Sequence, residues 1–186
     1  MRIIAGQYRG RRLNTPKDNA VRPTSDKVRQ AVFNMLSSRG LVQDAVVMDL
    51  FCGTGAMGLE SLSQGASFCY FFDISKESIR LTQENATNLD AQDNTLIRHQ
   101  DALSLPFRQE HETAVTLAII DPPYNKGLVD KAITVLLDKD WLSSDTYFLI
   151  ELSRHEDING ALLNIEIEKT YGDTKIILAS LKRQNE

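Results

Sequence analysis

The chain has 186 residues, 42% of them hydrophobic, enough for one well-buried core and too few for two comfortable domains. A formal net charge of −4 argues against a nucleic-acid partner on average, but residues 1–30 hold eight Lys/Arg against Asp18 and Asp26, a local +6 that leaves −10 for the remainder. No apolar run has the length of a signal-peptide core or a membrane span, and Cys52, Cys69 and three scattered histidines give no disulfide or metal spacing, so a cytoplasmic chain with no metal and no membrane contact is expected.

The first elements are basic. Arg2-Ile3-Ile4 and Arg11-Arg12-Leu13 flank Gly6 and Gly10, which predicts a short hairpin or arm with too few apolar residues to fold alone. Arg22-Pro23-Thr24-Ser25 supplies a turn and an N-cap hydroxyl, and Val28, Ala31, Val32, Met35 and Leu36 recur behind it at helical spacing. The expected organisation is a basic arm over residues 1–24 and a single body over 25–186. A basic head on an acidic body suits an enzyme edge that holds a polyanion, with Arg9, Arg11, Arg12, Arg22, Lys27 and Arg29 meeting phosphate. A solvated basic surface is the plainer reading of the same residues. Few apolar anchors also imply that the arm can be removed at little cost to the core.

The run Val46-Val47-Met48-Asp49-Leu50 reads as a buried strand, and Gly53, Gly55 and Gly58 follow with the spacing of a dinucleotide fingerprint that opens a helix. Leu59 and Leu62 continue that helix until Gly65. Phe68 to Asp73 is a second strand of near-continuous apolar character, as expected where helices cover both faces of a parallel sheet. Asp73 stands about 20 residues past the glycines, where a carboxylate can accept both hydroxyls of a ribose. It has a second reading as the N-cap of the helix that runs from Ser75 to Leu89. Thr95 to His99 is a third strand, followed by Asp101 and Ala102. Acids near the ends of three successive strands, Asp49, Asp73 and Asp101, would line the carboxyl edge where open α/β sheets bind ligands.

Thr116 to Ile120 runs into Asp121-Pro122-Pro123-Tyr124. Two prolines fix an extended backbone and remove its N–H groups. Asp121 and the Pro122 carbonyl can then accept hydrogen bonds from an exocyclic amine while Tyr124 stacks on the base that carries it. Downstream, Leu128 to Leu137 is an amphipathic helix, Tyr147 to Leu152 a strand near Glu151, and Ile165 to Tyr171 with Lys175 to Leu181 a closing antiparallel pair.

Asp49-Leu50-Phe51-Cys52-Gly53-Thr54-Gly55 and Asp121-Pro122-Pro123-Tyr124 together resemble the cofactor and catalytic motifs of class I S-adenosylmethionine-dependent methyltransferases acting on amino nitrogens. With Arg2-Ile3-Ile4-Ala5-Gly6, Gly10-Arg11-Arg12-Leu13, Arg22-Pro23-Thr24, Phe33-Asn34, Gly58-Leu59-Glu60, Gly65-Ala66 and Tyr171-Gly172-Asp173-Thr174, the chain resembles the bacterial 16S rRNA guanine-N2 methyltransferase family nearly end to end. Gln30 and Gln64 depart from that pattern, where an acid and an arginine are usual.

The resemblance implies an α/β fold, a Rossmann-like, mostly parallel seven-stranded sheet with helices on both faces and a small N-terminal basic hairpin. It implies S-adenosyl-L-methionine as cofactor: Gly53 and Gly55 under its methionine part, Asp73 on the ribose, Asp101 near the adenine, and Asp49, Phe51, Ile74 and Ala102 around it. Asp121, Pro122, Pro123 and Tyr124 would hold a guanine of 16S rRNA for methylation at N2, within an assembled or assembling small ribosomal subunit, with the enzyme a monomer. An adenine-N6 nucleic-acid methyltransferase would share both motifs but needs a target-recognition segment for which this chain has no room. A nicotinamide-dependent oxidoreductase would share the glycines and Asp73 but gives Asp-Pro-Pro-Tyr no task. A catalytically silent RNA-binding module would keep the arm alone.

Overall fold

The run Val46–Leu50 (β1) is an interior strand of a seven-stranded sheet in the computed structural model, which describes residues 1–16, 26–124 and 126–182. Phe68–Asp73 (β2) and then Thr95–His99 (β3) lie on one side of it, and Val115–Ile120 (β4) and then Leu142–Ser153 (β5) on the other, all parallel. Leu163–Tyr171 (β6) and Thr174–Leu181 (β7) close the sheet as an antiparallel hairpin, giving the order β3-β2-β1-β4-β5-β7-β6. The helices are Asp26–Ser37 (α1), Ala56–Ser63 (α2), Lys76–Asn88 (α3) and Leu128–Asp138 (α4).

Side chains on a strand alternate between faces, so each central strand builds two cores. Val47, Cys69, Phe71, Leu117 and Ile119 pack with apolar residues of α1, α2 and α3. Met48, Leu50, Tyr70, Phe72, Ala118 and Ile120 pack with α4 and Trp141. Helices therefore cover both faces, as expected. This is the class I methyltransferase fold, and its register sets the site: Leu50 pairs with Phe72 and Ile120, and Ile120 with Ile150, so the residues after these strands leave the sheet side by side. Among the described residues no helix is long and apolar enough to cross a membrane.

The arm is a hairpin: Ile3 N–H donates to the Arg11 carbonyl at 3.0 Å, Gly10 N–H to the Ile3 carbonyl at 2.9 Å, and Arg2 bridges Arg12. Its separability is corrected by its contacts. Ile3 and Leu13 are buried in the core, and the fully buried Glu60 of α2 accepts the N–H groups of Ile4 at 2.8 Å and Ala5 at 3.0 Å. Gln7 N–H donates to the Ser63 carbonyl and Tyr8 N–H to the Ser63 hydroxyl. Stripping this hairpin away would take two donors from a buried carboxylate, which is costly. The boundary expected at residues 24 and 25, the Arg22-Pro23-Thr24-Ser25 turn and the RNA contact assigned to Arg22 lie outside the described residues.

A second correction concerns α1. Its buried residues are Arg29, Val32, Phe33 and Leu36, a stripe turned by one position from the expected one. Positions 29, 32, 33 and 36 recur at i, i+3, i+4 and i+7, so Arg29 sits on the core face of the helix. It is 1% exposed, donates to the Arg2 carbonyl and to Asp26 Oδ1, and lies 3.7 Å from Glu60 Oε2. Its guanidinium is committed inside the protein, so Arg29 is not a phosphate contact. The two departures from the family pattern are also accommodated: Gln64 donates to Glu60 at 2.8 Å, and Gln30 to Asn34 at 2.9 Å.

Candidate active site

The chain leaves β1 through a turn that ordinary side chains rarely adopt, with φ of +61° at Phe51, +56° at Gly53 and +74° at Gly55. Gly55 offers no side chain to cap α2, and the cap comes instead from the strand: Asp49, 2% exposed, accepts the Gly58 N–H at 2.9 Å. The glycines differ in what surrounds them. A Cβ on Gly58 would stand 2.3 Å from the Phe71 ring, so that position serves close helix-to-strand packing. A Cβ on Gly53 would meet nothing nearer than the Phe51 carbonyl at 4.0 Å, so the Gly53 backbone faces open space where a ligand can approach.

Asp73 closes β2 and reaches back over this turn. Its Oδ2 accepts the Gly53 N–H at 2.9 Å and its Oδ1 the Ser75 N–H at 2.7 Å. The N-cap of α3 is Ser75, whose hydroxyl accepts from Ser78, so the capping role considered for Asp73 falls two residues later. A carboxylate has about four acceptor positions, and two remain for ligand hydroxyls. Beside it Ile74 is 67% exposed, an apolar surface with no protein cover. Gln100 N–H donates to the Asp73 carbonyl at 3.0 Å, which brings Asp101 alongside. Asp101 accepts the Leu103 N–H at 2.9 Å, and Ala102 is buried beneath the turn.

Two polar residues on the buried side of α3 brace the glycine turn. Thr82 donates to the Gly53 carbonyl at 3.1 Å and Asn85 to the Thr54 carbonyl at 2.9 Å. Asn85 also accepts the Asn14 N–H at 2.6 Å and donates to the Asn14 carbonyl at 3.1 Å. Neither was named from the sequence, although polar residues three apart on the buried stripe of an amphipathic helix were the available signal.

Asp121 leaves β4 next to Phe51 at the end of β1 and next to Glu151 on β5. Pro122 is buried, Pro123 exposed and Tyr124 half-buried. The Tyr124 hydroxyl donates to Glu151 Oε1 at 3.0 Å and lies 3.3 Å from the Thr174 hydroxyl. Glu151 is an acid near the end of the fifth parallel strand, the pattern already legible at Asp49 and Asp73, but no spacing in the sequence points to its contact with Tyr124.

The electrostatics follow from packing carboxylates together. Burial, then the charge of Asp73, pushes Asp49 up to about 8 against the pull of the Gly58 N–H. Burial and the charges of Glu151 and Asp49 hold Asp121 well above the carboxylate range. Burial and Glu151 push the Tyr124 phenol up to about 12, although Thr174 opposes them, so it stays a neutral donor. Burial raises the Cys52 thiol well above its ordinary value, which removes it as a nucleophile. An open glycine backbone beside Asp73, whose carboxylate keeps acceptor positions to spare, fits a ligand that presents hydroxyls there.

The residues expected to hold RNA are spread differently. Arg9, Arg12 and Lys27 are exposed, and Arg11, also exposed, donates to the Asn88 carbonyl at the end of α3.

A family described as conserved hypothetical protein 95 matches residues 1–180. The ribosomal RNA small subunit methyltransferase D of Escherichia coli strain K12 is 34% identical over 151 residues, covering 81% of this chain and 74% of that protein. The solved structure of Escherichia coli yhhF is 30% identical with a TM-score of 0.83 over 99% of both chains. For the fold alone, an RNA methyltransferase of Salinibacter ruber in complex with S-adenosyl-L-homocysteine superposes with a TM-score of 0.66 at 15% identity, over 89% of this chain and 97% of that one. With the glycine turn, the Asp-Pro-Pro-Tyr strand end and the sheet order in place, the chain belongs to the ribosomal RNA small subunit methyltransferase D family.

Proposed function

We propose that this protein is a cytoplasmic enzyme that transfers a methyl group from S-adenosyl-L-methionine to the exocyclic N2 of a guanine in 16S rRNA. The observation that carries the reading is the side-by-side exit of the glycine turn from β1 and of Asp121-Pro122-Pro123-Tyr124 from β4, which sets a cofactor cradle against an amine-binding loop. The name of the Escherichia coli relative supports the ribosomal substrate, and the homocysteine form bound by the Salinibacter ruber protein supports the cofactor.

In this reading Gly53 and Gly55 lie under the methionine part of the cofactor, Asp73 takes the ribose, and Ile74, Asp101 and Ala102 border the adenine. Asp49 and Phe51 shape the turn. When bound, the cofactor supplies an electrophilic methyl group on a sulfonium. The guanine N2 is a poor nucleophile because its lone pair is delocalised into the ring. Asp121 and the Pro122 carbonyl accept its two N–H bonds, and Tyr124 offers a face to the ring. Alignment of this kind lowers a barrier by several kcal/mol, up to roughly 7 to 11 in ideal cases. Proton loss can follow transfer, so no side chain need act as a strong base. The target must leave its stack, at a cost of a few kcal/mol that is smaller in a loop. Arg9, Arg11, Arg12 and Lys27 hold the surrounding RNA.

The test is to incubate the protein and labelled S-adenosylmethionine with unmethylated small subunits, free rRNA and DNA, and to identify the methylated nucleoside. N2-methylguanosine from subunits or rRNA is expected. N6-methyladenosine, or label on DNA, would overturn the substrate while leaving the cofactor site standing.

A further inference from the structure

Tyr124 belongs to the motif that meets the base, yet its ring direction is set from outside the motif. The Glu151 carboxylate, 7% exposed at the end of the apolar run of β5, accepts the Tyr124 hydroxyl at 3.0 Å. Thr174, the first residue of β7, lies 3.3 Å from the same hydroxyl. The β5–β7 register pairs Ser153 with Thr174, so both partners are fixed by one antiparallel pair of strands. Asp121 and the prolines, by contrast, are placed by β4. A phenol hydrogen-bonded to a buried carboxylate is a strong anchor, and a flat ring held at its tip cannot swing away from the plane it presents.

We infer that Glu151, seconded by Thr174, is the positioning residue that aims the Tyr124 ring at the target base. The inference rests on the guanine-methylating reading above and assigns Glu151 no contact with substrate or cofactor. It acts through the Tyr124 hydroxyl, so its effect must vanish when that hydroxyl is absent. A residue that merely stabilises the sheet would show no such dependence.

The experiment is a double-mutant cycle on the full-length protein, with small subunits and S-adenosylmethionine, reading kcat, KM for the subunit and cofactor affinity. Glu151→Ala and Tyr124→Phe should each lower kcat about tenfold to a hundredfold, the effect of losing a hydrogen bond to a charged group, with cofactor affinity within about twofold of the parent. The double variant should be no worse than the poorer single variant. Glu151→Gln, which keeps an acceptor oxygen for the hydroxyl, should recover most of kcat, and Thr174→Val should cost less than Glu151→Ala. If Glu151→Ala does not fold, Glu151→Leu, closer in volume, carries the same cycle. Multiplying losses in the double variant, or full activity of Tyr124→Phe, would overturn the inference while N2-methylguanosine from the parent enzyme leaves the functional reading intact. A parent enzyme that makes no N2-methylguanosine would overturn both.

Discussion

The Asn85 side-chain amide donates to the Thr54 carbonyl at 2.9 Å, and with its other contacts it clasps both backbone groups of Asn14. One buried side chain on α3 thus ties the glycine turn to the end of the N-terminal hairpin. The hairpin is part of the scaffold that shapes the proposed cofactor site.

Asn85→Ala removes those part-buried hydrogen bonds at once, each worth roughly 0.5 to 1.5 kcal/mol. Both the urea midpoint and S-adenosylmethionine affinity should fall. Calorimetry on the folded variant separates the two effects. Lost stability with parental affinity would mean that Thr54 needs no support from α3.

The glycines should separate in the same way. Gly58→Ala drives a methyl group to 2.3 Å from the Phe71 ring and should lower the melting temperature markedly. Gly53→Ala meets no protein atom within ordinary contact, so its cost to stability is the strain of a positive φ, about 1 to 2 kcal/mol. Its methyl group enters the space assigned to the cofactor, so binding should suffer more than folding. Parental cofactor affinity in Gly53→Ala would move the cofactor off this backbone.

Much of this arrangement was legible because hydrophobic period and glycine spacing are local signals. Val46–Leu50, Phe68–Asp73 and Val115–Ile120 announce themselves as strands, and an acid after an apolar strand marks the carboxyl edge. What escaped was set by tertiary partners. Arg29 looked like surface because it is charged, and its burial is made tolerable by the Arg2 carbonyl, Asp26 and Glu60, the last 31 residues later. Leu142 to Asp145 extend β5 without an apolar run: Leu142 pairs with Val115, and the next residues pass through an irregularity before Tyr147 pairs with Leu117. Glu151, Thr82 and Asn85 work through residues distant in sequence, which no spacing rule reaches.

Stability should decline as pH rises through the neutral range. Asp49 holds its proton up to about 8 in the folded protein, against an ordinary value of 3.8. Between those values the native state binds a proton that the unfolded chain releases, so each pH unit costs up to about 1.4 kcal/mol of stability from this group. The stabilising margin is complete below about pH 4 and lost above about pH 8, and Asp121, raised by burial and its neighbours, adds in the same direction. Asp49→Asn keeps an acceptor for Gly58 and should flatten the urea-midpoint profile between pH 5 and 8. A parent protein whose midpoint does not fall across that range would show that Asp49 is ionised in the fold.

The arginines of the N-terminal region should divide into two kinds. Arg9 and Arg12 are exposed on the hairpin, and each phosphate they neutralise steepens the fall of log K with log salt by about 0.7 to 0.9. Replacing both with Gln should flatten the slope for rRNA by roughly 1.5 and leave the melting temperature unchanged. Arg29→Gln should do the reverse, because it strips the buried Glu60 of its cationic neighbour and the Arg2 carbonyl of a donor while touching no phosphate. Its melting temperature should drop and its salt slope should stay at the parental value. A flattened slope in Arg29→Gln at full stability would return that residue to the RNA surface, and an unchanged slope in the Arg9 and Arg12 variant would take the hairpin off it.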